Sequence, residues 1–568
     1  MSGSGGAGAR RVVVVTGGAA GIGAAIAEEL GRRGDFVVTM DPVVAVDGRP
    51  LESTEQTTAQ RIVEAGGAAR ASSTSVTDLD AVQALLSDLV AEFGRLDAVV
   101  NVAGISRPTG FASGTEEDWA RVLDVHLNGY LNVLRAALPI MVGAGHGRIV
   151  GVTSGSGWRA ADAGAYGCAK RAVAALTWQI GQVTPDGVTV NALSPIAATR
   201  MVANALSRQG PGGDPSGRSA ASGGVALGAA PPPEHLGPVG AYLASDEFAW
   251  CRGQIIFSNG AEVSPIEPPR LLEVARTADT TSLAHALDAL VTGAFAPAEG
   301  AQSSSGGSVP RLGRIFDEPG DRPGTAPVTR RCVVITDDGR WGGVLTDALS
   351  ARAVECVGVG PWTPAVRGPS EIASGFAAAA DQLAQVARDT GPLDAVVVAL
   401  AGAAPSTTGV GTQRWQQILD EHAGITDQIR ADAAWVRAVA DYSASADRPV
   451  RVVTLTDATS AGGSSRAMAA AQLARAAHGA TANRVDAFAV GVEERTDSAR
   501  RATAELVGRL VSGDDVAALS GAELVTASEW LALRSHPKVA GTVTYGGPEI
   551  PGWLDAALRR MIAGEFES

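Results

Sequence analysis

The sequence predicts an α/β chain built as two tandem domains, each a doubly wound parallel sheet. Three observations carry this expectation. Apolar runs of strand length alternate with helical stretches through the first half. A Gly-rich turn separates the first run from the first helix. The same order of segments then begins again after residue 327.

The elements follow in order. VVVV (12–15) meets the turn TGGAAGIG (16–23), a helical stretch AAIAEELGRRG (24–34) and a second apolar run, FVVTM (36–40). Strand, turn, helix and strand within about 30 residues make one βαβ unit. LDAVVNV (96–102), GRIVGVT (147–153), VTVNALS (188–194) and QIIFS (254–258) are further buried strands, with helical stretches between them. Such alternation implies a parallel sheet covered by helices on both faces. Residues 208–233, rich in Gly, Ser, Ala and Pro, read as a mobile loop. Residues 271–292 read as one or two helices, and 294–327 as a Gly/Ser/Pro linker.

Beyond the linker, RCVVITDDGRWGG (331–343) lies over RVVVVTGGAAGIG (11–23), and GPLDAVVVALAG (391–402) over GRLDAVVNVAG (94–104). WQQILDEH (415–422) repeats WARVLDVH (119–126) at Trp, Leu, Asp and His. WLALRSHPKVAG (530–541) follows AYLASDEFAWCRG (241–253). Four matches in one order point to a repeated fold. The expected division is a catalytic domain at 9–268, a helical segment and linker at 269–327, and a second, degenerate domain at 328–558.

Composition narrows the class. A chain of 568 residues is too long for one ordinary core. Its net charge of −14 argues against nucleic acid or an anionic membrane as partner. No apolar stretch reaches membrane-span length, and the lead MSGSGGAGAR lacks a signal peptide's apolar core. Four scattered cysteines without a C-x-x-C pair suit reduced thiols in a cytoplasmic protein, with no metal site.

The chemistry-bearing residues lie in the first half. Gly17, Gly21 and Gly23 stand where the chain must bend tightly against a pyrophosphate, at a helix N-terminus whose free N–H groups face that anion. Asp41 ends the second strand, where a carboxylate accepts from ribose hydroxyls and repels a 2′-phosphate, selecting NAD(H). Tyr166 and Lys170 share one helix face. An ammonium beside a phenol favours the phenolate, the requirement for acid/base work near neutrality. The chain has only two lysines, Lys170 and Lys538. A Tyr-x-x-x-Lys pair would arise by accident in roughly 2 % of such chains. Ser154, at a strand end, can donate to the same substrate oxygen.

Together these residues resemble the short-chain dehydrogenase/reductase family over about 9–265. TGGAAGIG matches its TGxxxGIG turn, Asn101-Val102-Ala103-Gly104 its NNAG segment, and VTVNALSP (188–195) the strand before its nicotinamide-side loop. Ser154, Tyr166 and Lys170 match its catalytic Ser, Tyr and Lys. The resemblance implies a Rossmann-like fold and hydride transfer between nicotinamide C4 and a carbinol carbon, with Tyr166 as acid/base. It also implies a cofactor site of Gly17, Gly21, Ile22, Gly23, Asp41, Ser75, Val76, Asn101, Ala103, Gly104, Ile196 and Thr199, with Tyr166 and Lys170. Three positions depart from the family pattern. His126 (VHLNG) replaces its catalytic Asn, Ser75 replaces the Asp before Val76, and Pro195-Ile196 replaces Pro-Gly. His126 either keeps the proton relay through a water near Lys170 or is a satisfied helix histidine.

In the second half Asp337, Asp338 and Trp341 replace Gly17, Gly18 and Gly21. Two carboxylates and an indole repel and obstruct a pyrophosphate. Laying 454–477 over the active helix puts Met468 near Tyr166 and Gln472 near Lys170, and no Tyr-x-x-x-Lys exists in this half. The expectation is a silent domain forming an intrachain pseudo-dimer, with further pairing into a homodimer left open. The leading function is NAD(H)-dependent interconversion of a secondary alcohol and a ketone, on a small molecule. A narrower reading takes 3-hydroxyacyl thioesters. A reading of another class makes the chain an NAD-responsive scaffold with vestigial catalysis.

Overall fold

A computed structural model describes residues 10–51, 56–158, 163–201, 221–222, 225–226, 230–276, 329–362, 366–402, 412–513 and 516–564. The expected linker at 294–327 lies outside the described residues, as does most of the loop at 208–233.

Two sheets with alternating helices and strands make an α/β fold of two domains. The apolar run at the start of the chain becomes the strand Val12–Thr16, fully buried at the sheet centre. It pairs in parallel with Phe36–Met40 on one side and Ala98–Asn101 on the other. Outward from Ala98–Asn101 the order runs Gly147–Val152, Val188–Pro195, Ile255–Ser258 and the antiparallel Glu262–Glu267; Ala68–Ser72 closes the opposite edge. The second sheet repeats this order. Arg331–Thr336 is central, Glu355–Val359 lies on one side, and Ala395–Ala399, Val450–Asp457, Val485–Val492 and Glu523–Thr526 follow on the other. In both sheets the order turns back beside the central strand, which opens a crevice at the strand carboxyl ends.

The halves exchange segments. Leu271–Arg276, expected as helix, is an edge strand of the second sheet, antiparallel to Trp530–Arg534. Residues 277–292 of that expectation lie outside the described residues. Backbone pairing with a distant strand outweighs the local helical pattern of LLEVAR. In return, Lys538–Val539 and Val543–Thr544 pair with Glu262–Glu267 of the first sheet. The helix Leu554–Ala563 follows them. Its Asp555 accepts from the Tyr242 hydroxyl at 2.7 Å and from Trp250 Nε1 at 2.8 Å.

The seam between the halves is built on alanine. Gly164–Gly181, the Tyr166 helix, packs against Ala461–Ala480 through Ala165, Ala169 and Ala172 on one side and Ala469, Ala470 and Ala477 on the other. Side chains this small let two backbones approach closely, and Cys168 Sγ lies 3.6 Å from the Ala469 carbonyl. One apolar cluster runs through this seam from both halves, which fits a chain poor in aromatic residues. All four cysteines are buried and unpaired. No described helix is long and apolar enough to cross a membrane.

Candidate active site

The Gly-rich turn shows why its glycines are required. Gly17 has φ +65°, and a Cβ there would fall 2.8 Å from the Ala103 amide nitrogen. A Cβ on Gly23 would meet the Gly17 carbonyl at 2.2 Å. Gly21 also has positive φ, and Thr199 Cγ2 stands 3.8 Å from the place its Cβ would take. The helix Gly21–Arg32 then begins at Ala20, with no side-chain cap and no acidic residue in its first turn. Its leading N–H groups are left for an anion, so this cradle fits a dinucleotide pyrophosphate. Ile22 packs on the sheet beside it.

The remaining predicted cofactor residues gather along the same strand ends. Asp41 accepts from the Val43 amide at 2.8 Å and the Ala19 amide at 3.3 Å, which ties it to the turn. The Thr16 hydroxyl donates to Asn101 Oδ1 at 2.8 Å and accepts from the Ala103 amide at 3.1 Å. Those bonds hold the 101–104 segment against Gly17. Ser75 turns toward Thr77, their hydroxyls 2.9 Å apart, while the Val76 carbonyl accepts from Asn132 Nδ2. The Ile196 amide donates to the Ser258 carbonyl, anchoring the segment that carries Thr199.

Ser154, Tyr166, Lys170 and His126 come together at the end of Gly147–Val152. The Ser154 hydroxyl faces the Tyr166 hydroxyl and partly offsets the burial that pushes the phenol up from its ordinary value. Lys170 is 3 % exposed, and its Nζ donates to the Val152 carbonyl at 2.7 Å. It stands 5.7 Å from the Tyr166 ring centroid. Burial brings this ammonium down to about 7, within reach of neutral pH. The Thr153 hydroxyl locks the same helix turn by donating to the Lys170 carbonyl.

His126 sits in a π-helical turn, Asp124–Asn128, between the helices Glu116–Leu123 and Gly129–Ala144. Such insertions re-aim side chains and concentrate at functional sites. Nε2 lies 2.9 Å from the Ile105 carbonyl and 3.2 Å from the Ile105 amide. The shorter contact makes Nε2 the donor, which leaves Nδ1 a buried acceptor with no partner. Burial and the Lys170 charge hold the imidazole down at about 3, so it is neutral. A Cβ on Gly104 would strike its Cε1 at 2.5 Å. Asn128, two places on, turns away and donates to Asp124.

The equivalent region of the second half is self-satisfied. Asp338 caps its own helix, Gly339–Ser350, by accepting from the Arg340 amide at 2.9 Å. Asp337 accepts from the Ala401 amide at 2.8 Å. Arg466 makes a buried ion pair with Asp432 and donates to the Leu400 and Ala401 carbonyls beside a cleft of about 440 Å³. The aligned positions also shift. Ser465, not Met468, faces the repeated histidine, its Oγ 2.9 Å from His422 Nε2. A shorter passage from strand to helix moves the register. Met468 and Gln472 instead face the first half, Met468 among Trp158, Trp178 and Ile196, and Gln472 donating to the Ser156 carbonyl. Nothing in the sequence signals these contacts, which join residues more than 270 positions apart.

Known proteins are similar to this chain, most of them over its first half. The family pattern for short chain dehydrogenase matches residues 11–210. The short-chain reductase protein NovJ of Streptomyces niveus is 36 % identical over 251 residues, 44 % of this chain and 92 % of its own length. Cis-4-hydroxycyclohexanecarboxylate dehydrogenase of Sinomonas cyclohexanicum is 37 % identical over 260 residues, 44 % of this chain and 96 % of its own. The N-domain of a bacterial malonyl-CoA reductase, solved with NADP, superposes over 89 % of this chain and 95 % of its own, with a TM-score of 0.61. At 18 % identity that last likeness speaks for the fold alone. The chain belongs to the short-chain dehydrogenase/reductase family, a family of oxidoreductases that bind a nicotinamide cofactor.

Proposed function

We propose that the chain interconverts a secondary alcohol and a ketone with NAD(H), at a single active site in its first half, with Tyr166 as acid/base. The observation that carries this reading is the Ser154–Tyr166 hydroxyl pair with the Lys170 ammonium one helical turn away. Two adjacent hydroxyls can hold one substrate oxygen, and Tyr166 gives the proton this oxygen gains on reduction and takes the one it loses on oxidation. A bound nicotinamide supplies or accepts the hydride. Lys170, with a proton it can lose near neutral pH, recharges Tyr166 and holds the nicotinamide ribose. His126, neutral and with Nδ1 unpartnered, accepts from a relay water.

Asp41 supports NAD(H) over NADP(H). Its carboxylate stands at the end of the second strand, the turn beside it carries Ala19 and Ala20, and Pro42 follows it. None of these offers a cation to a 2′-phosphate. The self-capped Asp338 and the Arg466–Asp432 pair support a silent second half. Its role is then to complete a pseudo-dimer within one cytoplasmic chain. A screen of ketones, alcohols and 3-oxoacyl thioesters with NADH/NAD and NADPH/NADP, followed at the nicotinamide absorbance, tests the reading. A strong NADPH preference overturns the Asp41 argument, and turnover confined to thioesters replaces the small ketone by a carrier-borne one.

A further inference from the structure

The seam between the halves contains a positive charge that no described acidic group balances. Arg475, from the helix Ala461–Ala480, is 3 % exposed, and its Nη1 donates to the Trp158 carbonyl at 2.6 Å. Among the described residues its Nε and Nη2 have no partner. Arg171, fully buried beside it, donates Nη2 to Glu523 at 2.5 Å and Nη1 to His536 Nδ1 at 3.0 Å, while its Nε is unpartnered. A guanidinium only donates, so His536 Nδ1 accepts and the ring is neutral. Burial and the two arginines hold this imidazole well below its usual range, with the Gly521 carbonyl against it.

The other charged groups of the cluster pair off. Arg534 bonds Glu493 and lies 3.9 Å from Glu523. The Cys168 thiol near Arg171 is kept neutral by burial, which pushes it up to about 12. Arg171, Arg475 and Arg534 therefore face Glu523 and Glu493, and the excess is one positive charge, on Arg475. Among the described residues no carboxylate pairs with it.

Burying an unpaired charge is costly, and an arginine cannot escape the cost by giving up its proton at neutral pH. Among the described groups none balances that charge, and what remains is a counter-ion. A single excess charge calls for a monovalent one, and a buried seam lined by orphan N–H donors calls for a small one. We propose that Arg475 and Arg171 hold a small monovalent anion of the chloride type between the two halves. The site bears on catalysis through the chain itself. Arg475 grips the Trp158 carbonyl and Gln472 the Ser156 carbonyl, so the anion steadies the turn that follows Ser154.

The test uses the full-length chain with chloride and bromide as probes. Melting is followed as chloride replaces gluconate at constant ionic strength. The expected midpoint rises by about 1 °C per decade of chloride above the dissociation constant. Arg475→Met, which keeps the apolar stem and removes the charge, should abolish this dependence, whereas the exposed-site control Arg414→Met should keep it. Crystals soaked in bromide should show an anomalous peak within hydrogen-bond reach of Arg475 Nε or Nη2. Melting that ignores halide, halide dependence that survives Arg475→Met, or no bromide peak beside Arg475 each overturns the proposal. The soaked crystal of the unaltered chain decides the matter if Arg475→Met fails to fold.

Discussion

The imidazole of His126 stands edge-on to the Tyr166 ring, with 5.1 Å between centroids and 84° between planes. Edge-to-face packing of this kind fixes ring orientation and adds to the area buried. The same imidazole also holds Ile105 through Nε2. His126→Ala should therefore release both the tyrosine ring and the segment after Gly104. We expect kcat to fall roughly 10- to 100-fold through misplacement of the phenol, with a smaller change in KM. Folding stability should drop by about 2–4 kcal/mol for the cavity and the lost hydrogen bond. Unchanged turnover and pH profile would reduce His126 to a packing residue.

Tyr166→Phe keeps the ring against His126 and removes only the hydroxyl that faces Ser154. Turnover should fall by about 10²–10⁴, the usual worth of a positioned acid/base. Dinucleotide binding, followed by fluorescence, should persist because the Gly17–Gly23 cradle is untouched. Residual activity within tenfold of the original would remove Tyr166 from the chemistry.

Asp41→Ser should turn cofactor preference toward NADP(H). The carboxylate is held by the Ala19 and Val43 amides, so it cannot swing away from a 2′-phosphate without breaking those bonds. Removing a like charge at close range should raise the NADP(H) to NAD(H) ratio of kcat/KM by at least roughly tenfold. An unaltered ratio would place the discrimination elsewhere.

The motifs that are local in sequence were legible in it, and the long-range ones were not. Gly17, Gly21 and Gly23 announce a turn because their spacing and the strand before them are local facts. Tyr166 and Lys170 announce themselves because lysine is so rare here. The strand at Leu271–Arg276 was not legible, because its partner, Trp530–Arg534, lies some 260 residues away and decides a locally helical pattern. The register of the second half slipped for a related reason. Length differences in a loop leave no mark on an alanine-rich helix, and only the Ser465–His422 contact reveals which residue lies where. Arg475 was silent too, since an arginine in a chain with 44 of them carries no signal until its partners are counted.

Acid should destabilise the fold through three buried histidines, His126, His422 and His536, each held below the usual imidazole range by burial. Burial holds His126 at about 3 and His422 at about 4. Both lie below the value near 6.5 expected when unfolded. Between those limits the unfolded chain takes up protons that the folded chain refuses. Stability is thus full above about pH 6.5 and is lost as pH falls toward 4, by up to about 1.4 kcal/mol per group per pH unit. Denaturant titrations at pH 7, 6, 5 and 4 should show this slope, and the double variant His126→Gln, His422→Gln should reduce it to the share that His536 contributes. Equal slopes in both proteins would assign the acid sensitivity to other groups.

Dinucleotide titration by calorimetry should give one equivalent per chain. In the first half the helix after the Gly-rich turn has no side-chain cap; in the second, Asp338 occupies that place with its own carboxylate. An anion arriving there would have to displace a bonded negative charge. Gly17→Ala, whose Cβ would fall 2.8 Å from the Ala103 nitrogen, should abolish the remaining equivalent. Two equivalents, or one that survives Gly17→Ala, would give the second half a cofactor of its own.

Expression of residues 1–276 alone should fail to give a monodisperse active protein. The cut strips Lys538–Val539 and Val543–Thr544 from Glu262–Glu267, which leaves a sheet edge open to pairing with other chains. It bares the alanine face of the Tyr166 helix and removes Asp555 from Tyr242 and Trp250. Arg171 loses Glu523, so a charge designed for burial must either find solvent or stay unpaired. The turn after Ser154 also loses its grip from Gln472 and Arg475. Light scattering should report aggregation, and any soluble fraction should turn over far more slowly than the full chain. A stable monomer with full activity would show that the second half is dispensable, and would sink the reading of the chain as an obligate pseudo-dimer.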